Sequence, residues 1–158
     1  MTLYVLALVM GIIAGLRAMT PLAAVSWAAH LGWLPLRGTI LGFLGFVATP
    51  YILTVLAVVE LITDQLPKTP SRKVPVQFGA RLVSGALAGG AIGASGGASG
   101  GALVVGLVLG VVGAVIGTYG GAAGRASLAR SFGKDPPAAY LEDVVAIGGA
   151  ALIVWSFA

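Results

Sequence analysis

The sequence predicts an all-α protein, a polytopic helical membrane protein with five or six membrane segments, some of them short or broken. Of its 158 residues, 58% are hydrophobic and 9% are charged, whereas soluble domains carry about 25% charged residues. Mean hydropathy is +1.03, and most of the nine Lys and Arg residues fall between long apolar runs. Because so few charges cannot cover a compact body in water, a water-soluble globule is excluded and a lipid bilayer is the expected surrounding.

The first apolar run covers residues 3–34 and is too long for one crossing. As a single helix it would measure about 48 Å, against roughly 30 Å for the hydrocarbon core. Thr20 is a good N-cap residue, and Pro21 suits the first helical position. The run is therefore predicted to break at Arg17, with a second helix starting near Thr20. One broken crossing and two short helices that meet at Arg17 both fit, which leaves five or six segments.

The next elements are a turn, a long apolar run and a basic loop. After the turn at 34–38, the run 39–66 contains Pro50 and is predicted to span the membrane as one helix kinked at that proline. The segment 67–77 then combines three prolines with three cations. Its stiffness and charge exclude it from hydrocarbon and predict a loop.

The second half of the sequence predicts three more crossings. Two apolar segments, 78–94 and 101–124, are joined by an uncharged Gly/Ser turn, which is typical of a helical hairpin. A second charged loop follows from 125 to 137, and the last apolar run covers 138–157. The segments 67–77 and 125–138 each carry three Lys or Arg residues. The positive-inside rule therefore predicts that both lie on the cytoplasmic side of the cell (inner) membrane.

Residues 1–158 are predicted to form a single membrane domain that contains a candidate internal repeat. The stretch 15–27 aligns with 79–91 in the pattern Gly-x-Arg-x-x-[Ser/Thr]-[Pro/Gly]. Each copy precedes an apolar helix, a turn and another helix, as in the duplicated halves of many transporters. The predicted halves are 1–75 and 76–158. The match is short, and Gly-rich composition alone also accounts for it.

Four segments of the chain form a recognisable set of motifs: Gly15-Leu16-Arg17 with Pro21-Leu22, Val59-Glu60-Leu61-Ile62-Thr63-Asp64-Gln65-Leu66-Pro67, the segment from Arg81 to Gly89, and Glu142-Asp143-Val144-Val145-Ala146. These motifs resemble a family of small bacterial integral membrane proteins, the domain-of-unknown-function family four-one-two-six. In order and spacing they cover most of the chain. The resemblance implies a bacterial membrane setting and supplies no activity. The central hairpin is richer in Gly, and the loops are shorter, than the family leads us to expect.

Two pairs of acids are the first candidates for a site. Glu60 and Asp64 are four residues apart, so they share one helix face, and an acid in an apolar helix points to a proton or cation site. The competing interpretation is a structural ion pair with an arginine. Glu142 and Asp143 follow Asp135, which is predicted to cap the last helix. Acids there are also stabilised by the helix dipole alone, which requires no function.

Arg17 and Arg81 are the matching cationic candidates. Each precedes a hydroxyl residue at a predicted helix start, Thr20 and Ser84 respectively. A cation beside free backbone N–H groups is suited to a small anion. The alternative is that both arginines anchor the chain at the cytoplasmic face or neutralise the acids.

Glycines recur at short, helix-compatible intervals along the second hairpin helix. Small residues with this spacing let helices approach closely, within one subunit or between subunits. Five or six short helices from one chain are few to enclose a transport path, so a homo-oligomer is expected. The predicted packing residues are Gly106, Gly110, Gly113, Gly117 and Gly121.

Several classes of chemistry are disfavoured. The chain has no Cys and one His, so thiolate and multi-histidine metal sites are not predicted. No phosphate-binding Gly-x-x-x-x-Gly-Lys-[Ser/Thr] motif occurs, and no cofactor or nucleic-acid partner is expected. No nucleophile–base spacing is recognisable, which favours a non-enzymatic role and leaves an enzyme open.

Charge placed in apolar helices predicts a small transport protein, a channel or a secondary carrier, for a small ion or polar solute. The predicted site combines the four acids, the two arginines and the two hydroxyl residues named above. The alternative is a non-transporting scaffold or lipid-interacting protein that uses the Gly-rich face to pack against a partner.

Overall fold

The computed structural model describes residues 2–65, 73–96 and 100–158. These ranges contain α-helices, one short 3-10 helix and no strand, which confirms the all-α prediction. The 3-10 helix is Gly42–Gly45, and the α-helices are α1 (Thr2–Leu16), α2 (Met19–His30), α3 (Ala48–Thr63), α4 (Pro75–Ser95), α5 (Gly100–Phe132) and α6 (Pro136–Trp155).

Two of the described helices, α5 and α6, are long and apolar enough to cross a membrane. At about 1.5 Å per residue, the 33 residues of α5 measure roughly 50 Å. The helices α1 and α3 are apolar but shorter. The described part of the chain thus suggests a membrane protein, and the number of crossings stays a prediction.

The first apolar run breaks at Arg17, as predicted, but its cap differs from the prediction. The helix α2 starts at Met19, so Thr20 is its second residue and Pro21 its third. The expectation that Thr20 is the N-cap is therefore wrong. Ala18 occupies that position with helical backbone angles and no side-chain cap of its own. The free N–H groups there are bonded by another helix, as described below.

The prediction of a single helix over 39–66, kinked at Pro50, is also wrong. A turn and the 3-10 helix occupy the first part of this run, and α3 begins only at Ala48. Pro50 lies in the first turn of α3, where its missing N–H would have had no helical partner. The proline thus marks the start of the helix, without a kink in its middle.

The predicted loop at 125–137 is mostly helical, because α5 continues to Phe132 and α6 starts at Pro136. Charge alone does not end a helix; here Gly133, with φ +70°, adopts the left-handed conformation that commonly terminates one. Asp135 precedes α6, but its side chain makes no cap hydrogen bond. The predictions for 67–72 and 97–99 fall outside the described residues.

The centre of the fold is formed by α1, α4 and α5, whose backbones approach closely at glycines. A Cβ on Gly110 would overlap the carbonyl oxygen of Gly85 on α4, and one on Gly117 would overlap that of Ile12 on α1. Such close approach is available only to residues without a side chain. Of the predicted packing residues, Gly106, Gly110, Gly113 and Gly117 are buried against α1 or α4, and Gly121 is half-buried.

The remaining helices surround this centre unevenly. The helix α2 packs against α3, α4 and α6, and α6 also contacts α1 and α5. The helix α3 packs mainly against α2 and the 3-10 helix. Large apolar side chains cover the outside of α3, α5 and α6, among them Ile52, Val55, Ile62, Val108, Ile116, Val144 and Leu152. This surface resembles the interior of a soluble protein more than its exterior.

Candidate functional site

The break between α1 and α2 exposes backbone donors, and Glu60 of α3 bonds two of them. Its Oε1 accepts from the N–H of Ala18 at 2.7 Å, and its Oε2 accepts from the N–H of Met19 at 2.8 Å. A carboxylate at this position also lies at the positive end of the α2 dipole. Glu60 therefore caps α2 from a neighbouring helix.

Two side chains of α4 bond the carbonyl groups at the same break. The guanidinium of Arg81 donates to the carbonyl oxygens of Gly15 at 3.0 Å and Leu16 at 2.5 Å, at the end of α1. The hydroxyl of Ser84 donates to the carbonyl oxygen of Ala18. Because a buried helix end must satisfy its backbone groups, these contacts allow the chain to break inside the protein.

Arg17 lies at the break itself and is completely buried, with 0% of its surface exposed. Its Nε donates to Oδ1 of Asp143 at 2.7 Å, and a second guanidinium nitrogen lies 2.5 Å from the same oxygen. Its third nitrogen donates to Oδ2 of Asp64. Since Asp64 directly follows α3 and Asp143 is on α6, one guanidinium joins these two helices. Gln65 adds a hydrogen bond of 3.3 Å to Oδ2 of Asp143.

These groups form a compact inner cluster, defined by Arg17, Glu60, Asp64, Arg81 and Asp143. The guanidinium of Arg81 is 3.7 Å from Oδ2 of Asp64 and 3.9 Å from Oε1 of Glu60. The cluster contains three carboxylates and two guanidiniums. Within it, the ionised groups leave one negative charge in excess.

A second group of charges, the outer set, lies where α5 turns into α6. Arg125 forms a two-pronged contact with Asp135, at 2.6 and 3.0 Å, and lies 3.7 Å from Oε2 of Glu142. The Asp135 side chain is thus directed to Arg125, which explains why it does not cap α6. All five acids of the chain belong to the inner cluster or the outer set.

An open cleft of about 330 Å³ adjoins the inner cluster, between α2, α3 and α6. Its floor includes the buried residues Ala57 and Val154, and Ile147 lies exposed at its rim. Trp27 of α2 reaches across and donates to Oγ1 of Thr54 on α3 at 2.9 Å. At the cluster end of the cleft lies Thr20, whose hydroxyl is buried and has no hydrogen-bond partner among the described residues.

Comparison with known proteins decides the family. The family described as Domain of unknown function (DUF4126) matches residues 4–155 of the chain. The chain belongs to this family. The resemblance inferred from the sequence motifs is thereby confirmed. No curated protein and no solved structure matches the chain.

The motifs that carry the family resemblance also build the inner cluster. Arg17, Glu60 and Asp64, Arg81 and Asp143 come from four such segments and meet at the helix break. Glu142 points instead to Arg125. The donors of Arg17 and Arg81 that hydrogen-bond are directed to carboxylates and carbonyl groups of the protein. The arrangement favours ion pairing over the alternative of a free anion site.

Among the contacts that were not predicted from the sequence, two involve residues outside the predicted site. Gln65 reaches Asp143, 78 residues away, and Arg125 pairs with Asp135 across a turn. The second had a local signal, since the residues lie 10 apart on either side of Gly133. The two copies of the candidate repeat differ locally: Arg17 lies at a break, whereas Arg81 lies inside the uninterrupted α4. The duplication stays a prediction.

The capping role of Glu60 predicts a measurable loss of stability in Glu60→Gln. An amide supplies one acceptor oxygen where the carboxylate supplies two, so one of the two N–H groups loses its bond. We expect the free energy of unfolding in mild detergent to fall by about 1–2 kcal/mol. Val59→Ala, on the exposed side of the same helix, serves as the control, with a change within about 0.5 kcal/mol. Equal effects of the two variants would contradict the capping role.

Proposed function

We propose that this chain is a multi-pass protein of the cytoplasmic membrane that moves a small ion or polar solute past the inner cluster. The observation that carries the proposal is the broken helix with a buried arginine shared between two other helices. Transport proteins commonly build their sites at such interruptions, where helix ends and unwound backbone meet charged groups near the path. The apolar exterior and the two long helices support the membrane setting.

The Arg17 bridge has the properties of a gate. It joins Asp64, at the end of α3, to Asp143 of α6, and the open cleft lies between these two helices and α2. A proton or a cation that binds either carboxylate weakens its attraction to the guanidinium. Because the inner cluster already holds one carboxylate more than it has guanidiniums, binding of one positive charge makes it neutral. We propose that this event releases α3 from α6 and opens the path.

The basic segments 67–77 and 125–138 are proposed to lie on the cytoplasmic side, as their charge indicates. The end of α3 leads into the first segment, and Arg125 with Asp135 belongs to the second. The inner cluster would then lie near the cytoplasmic mouth of the path, where charged groups are tolerated at lower cost than at mid-bilayer. Formation of a homo-oligomer stays a prediction.

Reconstitution in liposomes tests the proposed transport. We expect pH-dependent flux of protons or small monovalent cations in the wild type. In Asp64→Asn we expect flux that no longer depends on pH, because the neutral side chain leaves the Arg17 bridge permanently weakened. The substitution keeps the size of the side chain but removes the charge that Arg17 bonds. The measurement is flux under an imposed gradient, with ion-sensitive dyes inside the vesicles and parallel assays with small organic anions.

Asp135→Asn is the matched control, because it removes a carboxylate that is more than half exposed and lies outside the inner cluster. Its flux should equal that of the wild type. An unchanged pH dependence of flux in Asp64→Asn, with both proteins folded, would refute a role of the inner cluster in transport. Absence of flux in the wild type under every gradient would refute transport itself.

The alternative, a scaffold that packs through its glycine face, has less support from the fold. Four of the five predicted packing glycines are covered by α1 and α4 of the same chain. A partner would have to use the valine-rich outer face of α5. That face is equally suited to contact with lipid tails, so transport remains our proposal.

A further inference from the structure

The cleft between α2, α3 and α6 contains an unusual polar group. Thr20 is only 8% exposed, and its hydroxyl has no partner among the described residues. A buried hydroxyl without a hydrogen bond is costly and calls for an explanation. The rest of the cleft is lined almost entirely by apolar side chains, apart from Thr54, which is already bonded.

The helix break explains why Thr20 lacks a local partner. Three threonines inside the described helices bond the carbonyl oxygen four residues earlier: Thr54 donates to Pro50 at 2.6 Å, Thr63 to Val59 at 2.9 Å and Thr118 to Ala114 at 2.8 Å. For Thr20 the corresponding carbonyl is that of Leu16, which lies on the other side of the break and is bonded by Arg81. The hydroxyl is therefore left free to donate to a molecule in the cleft.

We propose that the cleft holds one acyl chain of a membrane phospholipid, whose ester carbonyl oxygen accepts a hydrogen bond from Thr20. The cleft opens between exposed apolar faces of α3 and α6, so in a bilayer its mouth faces hydrocarbon. From Thr20 to Trp27 it follows α2 for about 10 Å. A volume near 330 Å³ accommodates a stretch of acyl chain and is at the small end of ligand pockets.

The expected depths of the charged residues, the cleft and Thr20 in the bilayer agree with a phospholipid as the occupant. The charged residues Asp64 and Asp143 lie one helical turn beyond the cleft, past Leu61 and Ile147 respectively. Charges of this kind belong near the headgroup region, and the apolar cleft belongs to the hydrocarbon side. Thr20 lies at the boundary between them, which is also where the ester carbonyls of a phospholipid lie. The inference rests on the membrane placement in the proposed function and not on transport.

Quenching of Trp27 fluorescence tests the proposal directly. The other two tryptophans, Trp33 and Trp155, are replaced by Phe, and the protein is reconstituted in phosphatidylcholine vesicles with increasing fractions of a phosphatidylcholine brominated on its acyl chains. We expect strong quenching of Trp27 in the background protein. Ala57→Leu fills the cleft and should reduce quenching at least twofold. Thr20→Val should weaken the association of the brominated lipid roughly fivefold, because one hydrogen bond is lost.

Val59→Leu, on the outer face of α3, is the control and should leave quenching unchanged. In detergent without phospholipid, Thr20→Val should unfold at the same temperature as the background protein or at a higher one, since it removes a buried hydroxyl that has no hydrogen bond among the described residues. Unchanged quenching in both Ala57→Leu and Thr20→Val would overturn the proposal. A water-soluble solute that displaces the lipid and protects Trp27 from quenching would also overturn it. The quenching experiment applies no gradient and is therefore independent of the flux assay. Lipid binding without flux would refute only the proposed transport, and flux without lipid binding would refute only this inference.

Discussion

Arg17→Ala is expected to lower the free energy of unfolding by about 3–5 kcal/mol, because it leaves two largely buried carboxylates without their shared counterion. Arg17 is fully buried and contacts Asp64 and Asp143 directly. Arg17→Lys should recover only part of the loss, since one ammonium cannot reproduce a planar group that bonds two carboxylates at once. The measurement is equilibrium unfolding in detergent micelles.

A charge-neutral variant separates the electrostatic cause from simple loss of packing. When Asp64→Asn and Asp143→Asn are added to Arg17→Ala, the uncompensated charges disappear. The triple variant should therefore be more stable than Arg17→Ala alone, although it carries two further substitutions at a site that has already lost the contacts of Arg17. If the triple variant is equally unstable or less stable, the loss is due to packing around the helix break and not to the unpaired acids.

Gly110→Ala is the second substitution with a large expected effect. Its added Cβ would overlap the backbone of Gly85 on α4 and would press on Gly89. Neither neighbour has a flexible side chain that can move aside, so α4 and α5 must separate. We expect a loss of about 3 kcal/mol or more, at the upper end for overpacked sites. Thermal unfolding, with helix content followed by circular dichroism, measures it.

Gly120→Ala on the same helix provides a control with the opposite sign. A Cβ at Gly120 meets no atom within 4 Å. The substitution should raise the free energy of unfolding by about 0.5–1 kcal/mol, because alanine favours the helix more than glycine does. A similar effect of both substitutions would show that helix propensity, and not the contact between α4 and α5, dominates at these glycines.

Many residues of the candidate site could be predicted from the sequence, because charges are rare in this chain. Arg17, Glu60, Asp64, Arg81 and Asp143 stand out in apolar surroundings, where an unpaired charge is costly. That cost predicts that such groups pair. It does not predict which acid pairs with which arginine, since this depends on how four separate segments meet.

Residue types that are typical of an N-cap were misleading where a residue of another helix formed the decisive contact. Thr20 has the residue type of an N-cap, but Glu60, on another helix, bonds the N–H groups of Ala18 and Met19. Asp135 occupies the N-cap position of α6, but its carboxylate bonds Arg125. In both cases a charged side chain of another helix formed a contact that residue preferences at a helix end do not encode.

The sequence by itself determined the all-α class, the family, the helix break at Arg17 and the set of charged residues to be paired. These follow from composition, residue type and short-range geometry. Only the tertiary structure decided that Arg17 joins α3 to α6, that the α5 glycines face α1 and α4, and that Thr20 lies unbonded in a cleft. Each of these depends on contacts between helices far apart in the chain, and such contacts are set by packing and charge neutralisation in three dimensions.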